Sequence, residues 1–189
     1  MSSILKVDQL QDSGGNNLVT SNGSGVITSS AFGKVLQVVS TTKTDTFSTT
    51  AGGAAPATIT GLTATITPSS TSSKILVMPN INVGSDGDNH IAITIFRGTT
   101  AICIGDTASN RPRASFTASL DSTGHTWLTQ SASQNFLDSP NTTSATTYSL
   151  KIGGNGATAV YINRSGRDNN LANEDGRYAS TITLMEISA

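Results

Sequence analysis

Residues 57–67, ATITGLTATIT, alternate threonine with apolar or small side chains. A period of two over this length is the mark of a strand with one face buried and one wet. Pro68 and the SSTSS turn close it. The same pattern extends in both directions. Upstream lies 35–48, VLQVVSTTKTDTFS, joined through a loop of small residues ending in Pro56. Downstream lies ILVMPNINV at 75–83, where Pro79 cannot donate a ladder hydrogen bond and predicts a bulge or an edge. HIAITIFRG and TAICIG then flank Gly98-Thr99-Thr100 as a hairpin, and TWLTQSASQNFLDS, TTYSLKIGG, TAVYINRS and ASTITLMEIS complete the series. Gly153-Gly154-Asn155-Gly156 reads as a further hairpin turn. Nowhere do apolar residues recur at helical spacing, and threonine, valine and isoleucine fill positions where a helix favours alanine or leucine. About nine short strands separated by turn signals predict an all-β, antiparallel β-sandwich, jelly-roll-like.

Residues 4–28, ILKVDQLQDSGGNNLVTSNGSGVIT, behave differently. Ile4, Leu5, Val7 and Leu10 form one apolar group, Leu18 and Val19 a second, Val26 and Ile27 a third, with glycine-rich turns between them. That predicts an extended arm, a short strand followed by a β-hairpin. An isolated hairpin is marginal in water, so these side chains need a partner surface. Residues 1–33 are therefore expected to form an attachment arm and 34–189 a β-sandwich head.

Composition narrows the function classes. Charged residues make up 12% and aromatic residues 5% of the 189, closer to all-β surface proteins than to α/β enzymes. A net charge of −1, with lysine and arginine scattered, argues against nucleic-acid binding. No run approaches the roughly 18 apolar residues of a membrane span, and the N-terminus lacks a signal-peptide pattern, so neither membrane insertion nor export by that route is expected. Cys103, the single cysteine, has no internal disulfide partner, and AICIG reads as a buried strand.

The motifs that carry chemistry are sparse. His90 and His125 stand without HxH, HxxxH or CxxC spacing. The acidic stretches at 86–89 and 168–175 offer calcium-type oxygens but match no EF-hand loop, and they are also ordinary turn residues. No serine sits in a G-x-S-x-G elbow. No catalytic residue, metal site or cofactor is expected. Trp127, Tyr148, Tyr161 and Tyr178 can stack on sugars or pack beside the core, and Asn169 and Asn170 lie in an Asn-rich loop suited to hydroxyls. Trp127, Tyr178, Asn169 and Asn170 are thus the candidate receptor contacts.

ILKVDQLQDSGGNNLVTSNGSG, GKVLQVVSTTKTDTFST, ITPSSTSSKILV, RGTTAICIGDTASNR, SASQNFLDSPNTTSATTYSLKI, VYINRS and ASTITLMEIS together resemble the tail-fibre-type virion proteins of bacteriophages, especially those of aquatic bacteria and cyanobacteria. The resemblance runs through most of the chain. It implies a homotrimeric particle protein on the virion surface, its arm fixed to the capsid, portal or baseplate and its head facing solvent. Each fully buried Val, Leu or Ile contributes roughly 1.5–3 kcal/mol, so repetition about a symmetry axis is what makes a weak arm hold. Two roles remain open: a short fibre or decoration protein that stabilises the particle, and a receptor-binding fibre that recognises a host surface glycan or protein.

Overall fold

The computed structural model describes residues 7–21, 23–24, 27–28, 35–87, 89–120 and 125–188, with 27 and 28 described by their backbone alone. Ile4, Leu5, Val26 and the joint at 33–34 lie outside the described residues, as does the Ile27 side chain.

The arm forms its own antiparallel sheet of β1 (Gln9–Gln11), β2 (Asn17–Ser21) and β3 (Ile27–Thr28). Leu10 stands opposite Val19 in the β1–β2 pair, and β2 turns back on β3, so the expected strand and hairpin form a three-strand meander in which β1 and β2 are also joined by a tight turn. That first turn is organised by Asp12, whose Oδ1 accepts from the backbone N–H groups of Gly14 and Asn16 at 2.8 and 2.9 Å. With Gly15 at φ +81, that side chain closes the turn.

The head contains β4 (Val35–Lys43), β5 (Phe47–Thr49), β6 (Ala57–Ile66), β7 (Lys74–Ser85), β8 (Asn89–Arg97), β9 (Thr100–Ile102), β10 (Phe116–Leu120), β11 (Thr129–Ser133), β12 (Phe136–Asp138), β13 (Thr146–Gly153), β14 (Val160–Ile162) and β15 (Ser180–Ile187). One sheet runs β4, β15, β7, with β12 and β11 in succession along the far side of β7, and β14 with β5 continuing past β15. The facing sheet runs β6, β13, β8, with β10 and β9 sharing the outer side of β8. That order is two interlocked Greek keys, the jelly roll.

Alternation puts Ile75, Val77, Ile81 and Val83 of β7 against Ile91, Ile93 and Ile95 of β8, all at 0% exposure. In β6 the inward parity switches from Ile59 to Leu62, Ala64 and Ile66. The switch is at Gly61, at φ +77, where the register with β13 slips: Ser149 faces Thr63 but Lys151 faces Thr58, so β6 carries three residues more than its partner there.

Pro79 sits inside β7, paired with Ile182 of β15 on one side and facing no strand on the other, so the expected edge is local to this position. It is the neighbouring strand that gives way. The interruption between β12, which reaches Val77, and β11, which starts at Asn80, lies opposite Met78 and Pro79. TWLTQSASQNFLDS is therefore two strands, and 35–48 likewise splits into β4 and β5. Gly98 at φ +57 opens the two-residue β8–β9 turn as expected. Gly153–Gly156 is not a hairpin, because β13 and β14 belong to opposite sheets. Cys103 lies just past β9, half-buried and at φ +53, not in a buried strand.

The connections β4–β6, β7–β8, β10–β11 and β13–β15 gather at one end of the sandwich, here the loop end. The arm joins β4 at Val35, beside Ile187 and Lys74, at the opposite end. The 12 residues of β7 run between them. At about 3.3 Å per residue that is roughly 35 Å.

Candidate functional site at the loop end

The segment 163–179 folds back over the start of β11 and the end of β7. Gly84 permits this, since a Cβ there would stand 2.3 Å from the Arg164 carbonyl oxygen. Asn163 anchors the segment. It is fully buried at φ +65, its Nδ2 donating to the Lys43 and Asp45 carbonyls at 2.8 and 3.0 Å while its Oδ1 accepts from Ser180 Oγ at 2.6 Å. Asparagine tolerates this left-handed backbone better than most residues.

From that anchor the arginines organise the surface. Arg164 stacks on the Tyr161 ring at 3.9 Å and donates to Asp168 at 2.9 Å. Arg167 lies over Trp127 at 5.0 Å, with His125 edge-on to the indole at 4.7 Å, and pairs with Asp175 at 2.9 Å and with Glu174. Arg177 pairs with Asp168. The hydrogen bond from Arg177, and after it the charge of Arg164, hold the Asp168 carboxyl below the usual carboxylate range against the opposing effect of burial. Tyr161 donates to Asp86, and burial foremost, then that carboxylate, raises its phenol above the ordinary value. The carboxylates read as possible calcium oxygens are thus engaged by arginine and tyrosine, and Asp88 lies outside the described residues.

Three of the four expected receptor contacts reach this surface. Trp127 is 36% exposed, and Asn169 and Asn170 are exposed on the rim of a polar hollow of about 310 Å³ with Asp168, Asp175 and Arg177. Tyr178 instead is half-buried at its base, its ring against Gly176 and its N–H bonded to the Asn163 carbonyl. Trp127 is a surface side chain held by Arg167, not a core aromatic. Tyr148 is the core aromatic, at 0% exposure.

No family model matches the chain, and no curated protein matches it. Among solved structures, that of infectious bursal disease virus Gx strain overlays at TM-score 0.41 with 14% identity, covering 87% of this chain and 43% of that one. A mutant VP2 protein of the same virus, from derived T=1 particles, gives 0.40, 13%, 87% and 42%. The chain spans less than half the length of either.

Ser119 Oγ and His90 Nδ1 meet at 3.2 Å on the face of β10 and β8, but among the described residues no carboxylate hydrogen-bonds this imidazole to orient it. The loop-end arrangement is suited to holding a hydroxyl-rich ligand between amides, ion pairs and one indole. The arm presents a different chemistry. Val7 and Leu10 are 56% and 55% exposed, and Leu18 and Val19 are half-buried.

An apolar strip crosses the outer face of the sheet that receives the arm. Val38, Met185, Leu76 and Leu137 stand in register across β4, β15, β7 and β12. Val38 and Leu137, at its two ends, are 54% and 52% exposed, and Val35 and Leu36 extend it toward the arm. Sequence reasoning missed this strip because register between strands distant in sequence is not encoded in any one of them.

Proposed function

We propose that the chain is a non-enzymatic structural protein of a bacteriophage particle: a homotrimeric short fibre or decoration protein, fixed by residues 1–33 to capsid, portal or baseplate, with its head on the virion surface. The observation that carries this reading is the apolar strip running from the arm joint across an outer sheet face. On that face Ser40, Thr42, Thr181, Thr183, Asn80 and Asn82 surround the strip without a charge. Lys74 at the rim donates to Ser139 Oγ at 2.8 Å. A second copy, gathered by association of sister arms, supplies the matching uncharged surface. Four strands about 4.8 Å apart and about 3.3 Å per residue make a face of several hundred Å², the order that one partner buries in a standard interface.

Deleting residues 1–30 is expected to leave a folded head that no longer enters particles. Normal copy number of the truncated protein in purified virions would overturn the anchoring role. The double substitution Val38→Glu and Leu137→Glu is expected to turn a trimer into a monomer in sedimentation while circular dichroism stays unchanged, because both side chains already face water. A trimer that survives it places the contact elsewhere.

A second reading, a receptor-binding fibre, is favoured by one specific observation: the exposed Trp127 and the polar hollow rimmed by Asn169 and Asn170 lie at the end opposite the start of β4. Host-cell binding by the purified full chain, reduced by Trp127→Ala, separates it from a decoration role.

A further inference from the structure

Arg97, Arg164, Arg167 and Arg177 are all paired with carboxylates. Among the described residues Arg111, Arg113 and Lys151 have no such partner. These three cations gather on the outer face of the β6–β13–β8 sheet, and none of them takes part in the loop end's ion pairs. Lys151 Nζ sits 4.1 Å from the centroid of Phe96. Phe96, Arg111 and Arg113 line a hollow of about 350 Å³ under the 103–115 loop, and it shares Gly53, Ala54 and Pro112 with a second hollow of about 540 Å³ that continues to His90 and Thr117.

This groove is built rather than incidental. Ser115 Oγ donates to the Ile102 carbonyl and accepts from the Ile95 N–H, both at 2.9 Å, pinning the loop to the sheet. Pro112 packs on Gly53, where a Cβ would come within 3.2 Å of both Pro112 and Ala92. Proline fixes its own backbone angle, so Arg111 and Arg113 project from a stiff point. Arg113 is further tethered by its Nε donating to the Gly105 carbonyl at 2.7 Å. Asp106, in the same loop, is exposed and forms no ion pair with them.

We propose that this groove binds an acidic saccharide, with carboxylate or sulfate groups on Arg111, Arg113 and Lys151 and sugar rings lying along Pro112, Ala92 and Ala114. Unneutralised guanidinium groups favour planar or multidentate anions. A floor of glycine and alanine admits a flat pyranose edge, and His90 and Thr117 offer polar atoms to its hydroxyls. Nucleic acid is a poorer fit, since base stacking needs open aromatic faces and Phe96 already carries Lys151. The inference is independent of where the arm attaches and of the loop-end surface.

The test is calorimetric titration of the full-length protein with a tetragalacturonate, and with maltotetraose as the neutral counterpart. Expected are saturable binding of the uronate that weakens with added salt, no binding of the neutral sugar, and at least a tenfold loss in Arg111→Ala/Lys151→Ala with an unchanged circular dichroism spectrum. Should that variant lose its fold, Arg111→Lys is the substitute, since it keeps the charge and removes the bidentate fork, and a severalfold loss is then expected. Equal affinity for both sugars, no binding of either, or undiminished binding by the variants overturns the proposal. Tighter binding of oligo-dT or polyglutamate than of the uronate overturns the saccharide assignment.

Discussion

Replacing Asp138 with alanine is expected to destabilise the head by about 3–5 kcal/mol, the cost of removing one partner of a buried charged pair. Asp138, at the end of β12 and 7% exposed at its side chain, accepts from Arg97 Nη1 through both oxygens at 2.9 Å and from Tyr148 Oη at 2.6 Å. Arg97 and Tyr148 face each other across β8 and β13. One carboxylate therefore ties the two layers of the sandwich together. Burial, and then this hydrogen bond, raise the Tyr148 phenol far above its ordinary value, so it remains a donor at any pH the protein meets. Thermal unfolding should show a fall of roughly 10 °C, with Tyr148→Phe costing about 2 kcal/mol. A loss below about 1 kcal/mol for Asp138→Ala would mean that apolar packing alone holds the layers.

Glu186→Gln is expected to produce the second large effect, and to change the shape of the acid limb as well as its height. Glu186 is fully buried on β15. Burial acts to raise its pKa, but Gln37 Nε2 at 2.6 Å and the Ser69 N–H and Oγ at 2.7 Å overcome that and bring it from 4.5 to about 2. A carboxyl lowered on folding adds stability that is complete above its unfolded value and disappears as pH falls toward the folded one. A depression of this size corresponds to about 3 kcal/mol, present above pH 4.5 and lost between there and about pH 2. Glutamine turns an amide N–H₂ toward donors. The variant should be less stable at pH 7 and flatter between pH 4.5 and 2. An unchanged slope in that window would assign acid sensitivity to other carboxylates.

The sandwich could be read because its strands obey a local rule. The alternation survives intact in β15 and over residues 74–83 of β7, and the one parity change in β6 is marked by the only glycine in its run, Gly61. What could not be read was set by pairs distant along the chain. Asp138 and Glu186 look like ordinary strand-end acids until Tyr148, Arg97, Gln37 and Ser69 come from other strands. The apolar strip needs the register of four strands at once. At the loop end, the Asn-rich composition pointed to the right segment, but only the fold decides that Trp127 stays outside on Arg167 while Tyr178 turns in. Val7 and Leu10 of the arm were legible as unburied for a simpler reason: its sheet has too few residues to cover them.

The placement of the arm also has a mechanical meaning. A pull that separates a tethered arm from a loop end held elsewhere acts along the axis of β4, which is bonded to β15 through eight register pairs from Ser180–Lys43 to Ile187–Val35. Antiparallel hydrogen bonds lie across the strands, so such a load shears the whole ladder together instead of unzipping it one rung at a time. Entry at the opposite end of β4 would have exposed the same bonds to peeling. A head threaded this way is rigged to resist tension along its long axis.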